Sequence, residues 1–171
     1  MHANKKELFK EYITNNLDKI YRLAFSFAKN QSDSEDIVNE SVKRALISIY
    51  SLKNECYIGT WFYRIVVNTA NTYLKKKSKL FFLEDISEES LGTEDNYQDS
   101  DIYNQVMQLD SKYRIVIILK YFEDMTFEQI AEVLNENTNT VKTRVYTALD
   151  KLKIKICKEE GNNDEIHVQK S

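Results

Sequence analysis

Apolar residues in the first half of the chain recur at spacings of three and four. Leu8, Tyr12, Ile13, Leu17, Ile20, Tyr21, Ala24, Phe27 and Ala28 make one such stripe, the pattern of a helix with one buried face. The polar run Asn30–Asp36 interrupts it, and Ser32, Asp33 or Ser34 can cap a second helix whose first turn holds acids that suit the helix dipole. That helix carries Ile37, Val38, Ser41, Val42, Ala45, Leu46 and Ile49. A loop at about 51–59 leads to a third helix, predicted from about Thr60 to Lys77, with Phe62, Val66, Ala70, Tyr73 and Leu74 as its buried row.

Charge then separates sharply. Lys75, Lys76, Lys77 and Lys79 form a basic knot, followed by Glu84, Asp85, Glu88, Glu89, Glu94, Asp95, Asp99 and Asp101 with no Lys or Arg among them. A self-repelling stretch of this kind reads as a solvated linker, and about 20 residues of it could reach roughly 65 Å when extended. Beyond it, Ile102, Val106 and Leu109 lead to a break at Asp110-Ser111, then a helix with Val116, Leu119, Tyr121 and Phe122. Thr126 opens a short helix, Gln129 completes a capping box, and Asn135 suits a left-handed stop. Val141, Val145, Ala148, Leu149, Leu152 and Ile156 mark a further helix, and the short turn between the last two makes a helix-turn-helix. The expected fold is all-α. It has two small helical domains, at 1–80 and 102–160, joined by a flexible acidic linker at 81–101 and followed by a disordered tail at 161–171.

Composition agrees with this class. The 171 residues include no proline and only three glycines, Gly59, Gly92 and Gly161, where hairpins and tight turns would demand more. A net charge of −3 gives bulk electrostatics no preference for nucleic acid, so the distribution of charge must decide. Cys56 and Cys157 lack metal or disulfide spacing, and His2 and His167 lie near the ends. No phosphate loop, metal-ligand cluster or nucleophile elbow occurs. The expectation is a protein that is not an enzyme, with no cofactor, no metal and no small-molecule substrate. The apolar runs are too short for a signal peptide or a membrane span, and the chain is read as cytoplasmic.

Three surfaces could carry function. On the last helix, Lys142, Thr143, Tyr146 and Thr147 lie opposite the apolar stripe, with Arg144, Lys151, Lys153, Lys155 and Lys158 along the flanks. A recognition helix presents such residues to base edges and phosphates in a major groove, although a solvated basic face would look the same. On the third helix, Arg64, Asn68, Asn71 and Lys75 fall on one line and Trp61, Ile65 and Asn68 on the next. Amides and cations beside aromatics suit single-stranded nucleic acid; plain core packing of Trp61 and a wet helix face are the bland alternatives. The second helix opens with Asp33, Glu35, Asp36 and Glu40, either as dipole partners or as an acidic docking patch.

Taken together, the segments resemble extracytoplasmic-function sigma factors, the small branch of the sigma-70 family, across nearly the whole chain. The run from Asp33 through Ala45 looks like that family's region 2.2, which implies that Asp33, Glu35, Asp36, Asn39 and Glu40 contact the polymerase clamp. The run Thr60–Leu74 is similar to regions 2.3 and 2.4. By that similarity Trp61, Arg64, Ile65, Asn68, Asn71 and Lys75 would bind the opened −10 element, and the loop at about 51–57 would pocket a flipped base. The runs Lys120–Glu132 and Asn139–Val145 look like region 4, implying that Thr140, Lys142, Thr143, Arg144, Tyr146 and Thr147 read the −35 duplex. The implied partners are core RNA polymerase, promoter DNA and an anti-sigma factor, commonly membrane-anchored, in a stress response. The chain departs from the family where Asp110 or Ser111 stands in place of a usual proline, where Glu136 replaces an apolar turn residue and where Thr147 replaces a common arginine. Two other readings stay open at this point: a helix-turn-helix regulator that acts without being a polymerase subunit, and a helical protein-interaction module.

Overall fold

The computed structural model describes residues 3–84 and 101–168, with side chains over 5–80 and 101–154. The expected linker falls mostly at 85–100, outside the described residues. All regular structure among the described residues is helical.

Helix α1 (Ala3–Ala28) bends at Asn16, whose φ of −125° and ψ of 15° leave the helical region. The Asn16 side-chain amide donates to the Tyr12 carbonyl at 2.8 Å, so a side chain takes an acceptor that the backbone ladder would use. Leu17, expected on the buried stripe, follows the bend and is exposed. Lys29 adopts a left-handed φ of 58°, and α2 (Gln31–Ser48) begins at once. Its cap is Asn30, whose Oδ1 accepts the Asp33 amide at 2.9 Å, and not Ser32, Asp33 or Ser34 as the sequence suggested.

The Asp33 carboxylate is thereby free for longer-range work. It accepts from the Tyr73 hydroxyl at 3.0 Å and from Asn30 Nδ2 at 2.8 Å, and it pairs with Lys77. Burial pushes its pKa up, but the hydrogen bonds from Lys77, Asn30 and Tyr73 outweigh that and hold it below the usual carboxylate range. This knot ties the start of α2 to the far part of α3 (Ile58–Glu84). Two single 3-10 turns, Ile49–Ser51 and Glu55–Tyr57, bring the chain from α2 into α3. Near its start α3 passes close to α1: a Cβ at Gly59 would sit 3.2 Å from the Tyr12 hydroxyl. Phe62, Val66 and Ala70 are buried as expected, and Tyr63 and Val67 are buried beside them.

The second unit comprises α4 (Asp101–Met107), α5 (Ser111–Ile117), α6 (Phe127–Leu134) and α7 (Thr138–Val168). Residues 115–119 are buried without a polar break, as befits a helix enclosed on several sides. That helix widens into one π turn at Ile118–Phe122, where the Glu123 amide reaches back to the Ile118 carbonyl at 3.0 Å. The capping box at α6 is present in both directions, Gln129 N to Thr126 Oγ1 at 3.2 Å and Thr126 N to Gln129 Oε1 at 2.9 Å. Asn135 ends α6 with a φ of 52°. Two helices outrun their expected limits: α3 continues to Glu84, and α7 continues to Val168, past the boundary set at 160. Residues 161–168 are therefore helical, where the sequence reading placed a tail.

The units also meet. α6 packs on α3, and α5 and the π turn pack on α1, so the buried apolar residues of both form one continuous core.

The Asp33 knot makes a prediction. Lys77→Met removes the cation from a largely buried carboxylate and should cost about 1–3 kcal/mol of stability, measured by urea denaturation; an unchanged midpoint would show that Asn30 and Tyr73 suffice without it.

Candidate nucleic-acid interface

On α3 the structure exposes one line. Arg64, Asn68, Asn71 and Lys75 all face solvent, because the flanking positions are consumed by packing. Ile65 is half-buried beside them. Trp61 is half-buried too: its ring stands edge-on to Phe9 at 5.9 Å and its indole N–H donates to Ser51 Oγ at 3.3 Å. The indole is thus structural on one side and presents its remainder next to the loop. That loop is anchored by Lys5, whose ammonium donates to the Leu52 carbonyl at 2.7 Å, and by Asn54, whose side chain accepts the Cys56 amide at 3.0 Å. Glu55, Cys56 and Tyr57 are exposed along it.

On α2 the acidic group divides. Asp33 is 7 % exposed, and its oxygens are committed to α3, so it does not share the outer surface as the sequence suggested. Glu35, Asp36 and Asn39 are exposed, and Glu40 is half-buried. Asp36 accepts from the Tyr73 hydroxyl at 2.9 Å. Glu40 accepts from Arg44 at 2.9 Å and lies 3.6 Å from the Lys43 ammonium; the Arg44 bond comes first among the influences that hold its pKa low. Asp36, Asn39 and Glu40 line an open groove of about 440 Å³ between α2 and α3, with Lys43, Arg44 and Tyr73 among its other walls.

On α7 the expected residues face outward in part. Thr143 and Tyr146 are exposed, whereas Thr140, Lys142, Arg144 and Thr147 are half-buried. Two features here escaped the sequence reading. The Phe127 ring is a platform: the ammonium groups of Lys120 and Lys142 lie 4.9 and 5.6 Å from its centroid, and the Tyr146 ring 6.3 Å away. Such cation–π contacts restrain long side chains that would otherwise sample many rotamers. Lys120 and Phe127 therefore belong to this surface. The helix-turn-helix, together with a π turn that is not visible as a local spacing, brings them there. The second feature is Glu136, which pairs with Arg144 at 3.1 Å. An acid in the turn is tolerated because it stays at the surface and finds a cation on α7.

The family model for sigma-70 region 2 matches residues 12–80, and that for sigma-70 region 4 matches residues 100–152. The RNA polymerase sigma factor SigV of Bacillus subtilis is 45% identical over 157 residues, which cover 91% of this chain and 95% of that protein. The ECF RNA polymerase sigma factor SigW of the same organism is 31% identical over 156 residues, covering 80% and 82%. Among solved structures, the sigma factor RpoE of Bartonella quintana, in complex with the anti-sigma factor NepR, shares the fold with a TM-score of 0.70. It is 21% identical, and the match covers 85% of this chain and 94% of that one.

Glu136→Ala should leave stability within about 0.5 kcal/mol, since the pair is exposed, but should free Arg144. If Arg144 then meets a phosphate, the log–log salt dependence of duplex binding steepens by about 0.9. Anisotropy titrations over a salt series check this, and an unaltered slope would place Arg144 off the backbone path.

Proposed function

The chain belongs to the extracytoplasmic-function branch of the sigma-70 family, and from that premise we propose how its surfaces divide the work of promoter recognition. It is a sigma factor: it binds core RNA polymerase and directs promoter-specific initiation of transcription, and it is not an enzyme. The match to both regions in order disfavours a regulator independent of polymerase or a mere interaction module.

We assign polymerase docking to Glu35, Asp36, Asn39 and Glu40 on α2. The exposure of Glu35, Asp36 and Asn39 and the groove that Asp36, Asn39 and Glu40 line support this, and acidic rims speed association with a basic partner. Asp33 acts behind them, holding α2 on α3. The −10 element falls to Trp61, Arg64, Ile65, Asn68, Asn71 and Lys75. The observation that carries this reading is the exposed line of amides and cations on α3, Arg64, Asn68, Asn71 and Lys75. Unpaired bases can stack or bond along it while phosphates follow Arg64 and Lys75. Stacking is worth about 1–3 kcal/mol per base, enough to offset a lost base-pair step of roughly 1.4 kcal/mol. The −35 duplex falls to Thr140, Lys142, Thr143, Arg144, Tyr146 and Thr147, with Lys120 and Phe127 beneath them. A lysine suits guanine acceptors, and an aromatic suits a thymine methyl.

None of the described helices is long and apolar enough to cross a membrane. We infer that the protein acts in the cytoplasm and that an anti-sigma factor holds it there, at the membrane where that partner is anchored. RpoE of Bartonella quintana, solved with its anti-sigma factor, supports such a partner through the shared fold.

Run-off transcription with core polymerase tests the whole reading. Product must depend on this chain and on a defined promoter pair; a chain that gives no promoter-dependent product overturns it. The residue assignments are tested separately. Asn68→Ala should lower open-complex formation while polymerase binding persists, read as lost permanganate reactivity of −10 thymines. Lys142→Ala with Tyr146→Ala should weaken −35 duplex binding by a few kcal/mol at most, about 1–3 kcal/mol per lost contact, and unchanged promoter selectivity would remove both from the reading surface.

A further inference from the structure

The loop that joins α2 to α3 is shaped by its own hydrogen bonds but seated by α1. Within it, the Leu52 amide donates to the Ile49 carbonyl at 3.2 Å, the Tyr57 amide to the Asn54 carbonyl at 3.1 Å and the Cys56 amide to Asn54 Oδ1 at 3.0 Å. These bonds close two turns without fixing where the turns sit on the bundle. Anchors from outside do that. The Lys5 ammonium, 47 positions away, donates to the Leu52 carbonyl at 2.7 Å, in the stretch between the turns. The Trp61 indole holds Ser51 beside it.

Lys5, Phe9 and Tyr12 follow one another at spacings of four and three, so they share one face of α1. Each meets a different part of the same neighbourhood. Phe9 is buried, edge-on to Trp61 at 5.9 Å and to Phe62 at 5.1 Å. Tyr12 stands against Gly59, and its hydroxyl meets that of Tyr63, which donates to Glu123 Oε2 at 2.5 Å. Lys5, half-buried, ends the line. The helix itself gains nothing from a cation there: α1 starts at Ala3, and a positive charge in the first turn opposes the helix dipole. Local helix chemistry leaves Lys5 without a role, and the charge-assisted bond to Leu52 supplies one.

We propose that Lys5 is a positioning residue for base selection at the −10 element: by fixing the Leu52 carbonyl it sets where the loop at 51–57 stands beside Trp61. The inference rests on the −10 reading, in which that loop would pocket a flipped base. Lys5 acts through the loop and does not itself touch DNA. Residues 53–57 are all exposed, so packing does little to hold them, and their place follows from the anchors at Leu52 and Ser51. A base taken out of its stack is chosen by hydrogen bonds to its edge. Such a pocket discriminates only while its groups stay within about 0.5 Å of their working positions. A loop cut loose from Lys5 would still meet the strand, but it would fit wrong bases nearly as well as the right one.

Two variants of the full chain test this: Lys5→Met keeps the stem and removes the charge, and Lys5→Arg keeps a charged donor. Trp61 is the only tryptophan in the chain, so acrylamide quenching of its emission reports the seating of the loop without any DNA. Quenching should rise in Lys5→Met and return toward the original in Lys5→Arg, with helix content by circular dichroism unchanged in both. Run-off transcription with core polymerase, from templates carrying each base in turn at every −10 position, reads selectivity. Lys5→Met should lower the preference at one −10 position by about tenfold, within the range of a single base contact, and leave −35 duplex binding unaltered; Lys5→Arg should recover most of the loss. Unchanged quenching, unchanged selectivity, or an equal loss for all bases, as a merely loosened domain would give, would each overturn the proposal. Should the original chain prefer no base at any −10 position, the −10 reading fails and this proposal with it, whereas a preference that persists in Lys5→Met removes the proposal alone.

Discussion

Everything at the centre of this molecule depends on how many neighbours α3 has. A helix with 3.6 residues per turn has little circumference to share, and α3 is contacted by α1, α2 and α6. Phe62, Tyr63, Val66, Val67 and Ala70 are consumed by those contacts. What is left includes a polar strip, and Arg64, Asn68, Asn71 and Lys75 occupy it. This polar line is held straight by burial on its flanks, with few side-chain bonds of its own. A cavity made anywhere along that buried face would shift the strip before it unfolded the domain.

The second surface is organised by a different means. α7 has one partner face, toward α4, α5 and α6, so its outward residues have more freedom. There the Phe127 ring supplies the restraint, gathering Lys120 and Lys142 from separate segments. Rigid backbone serves one unit, and a shared aromatic serves the other. Each proposed surface is already formed in the free protein, so binding there need not also order it.

Much of this was legible in the sequence, and the failures have a common cause. Thr126, Gln129 and Asn135 could be read because capping is decided within four residues. The polar line on α3 could be read because helical spacing is local as well. The cap of α2 could not: Asn30, Ser32, Asp33 and Ser34 are all good formers, and the choice is made by Tyr73 and Lys77, about 40 residues away, which claim Asp33. The same claim removes Asp33 from the outer acidic patch. Leu17 was misplaced because Asn16 bends its helix. Tyr63 and Glu123 sit 60 positions apart, and nothing in either neighbourhood announces the other. The ends of α3 and α7 are not legible locally, because charge and polarity suggest helix ends whereas α-helical backbone tolerates both.

The π turn at Ile118–Phe122 carries a consequence of its own. A wide turn accommodates one residue more than the regular spiral would, so it works as a phase shifter between the apolar run before it and Glu123 after it. Excising a single residue from that turn would let an ordinary spiral run through and leave the carboxylate little displaced around the axis, whereas excising one from the regular part of α5 would swing it by about 100°. It would then point away from Tyr63, although every side chain of the contact would still be encoded. The pairing of the two units is thus written as much in residue count as in residue identity.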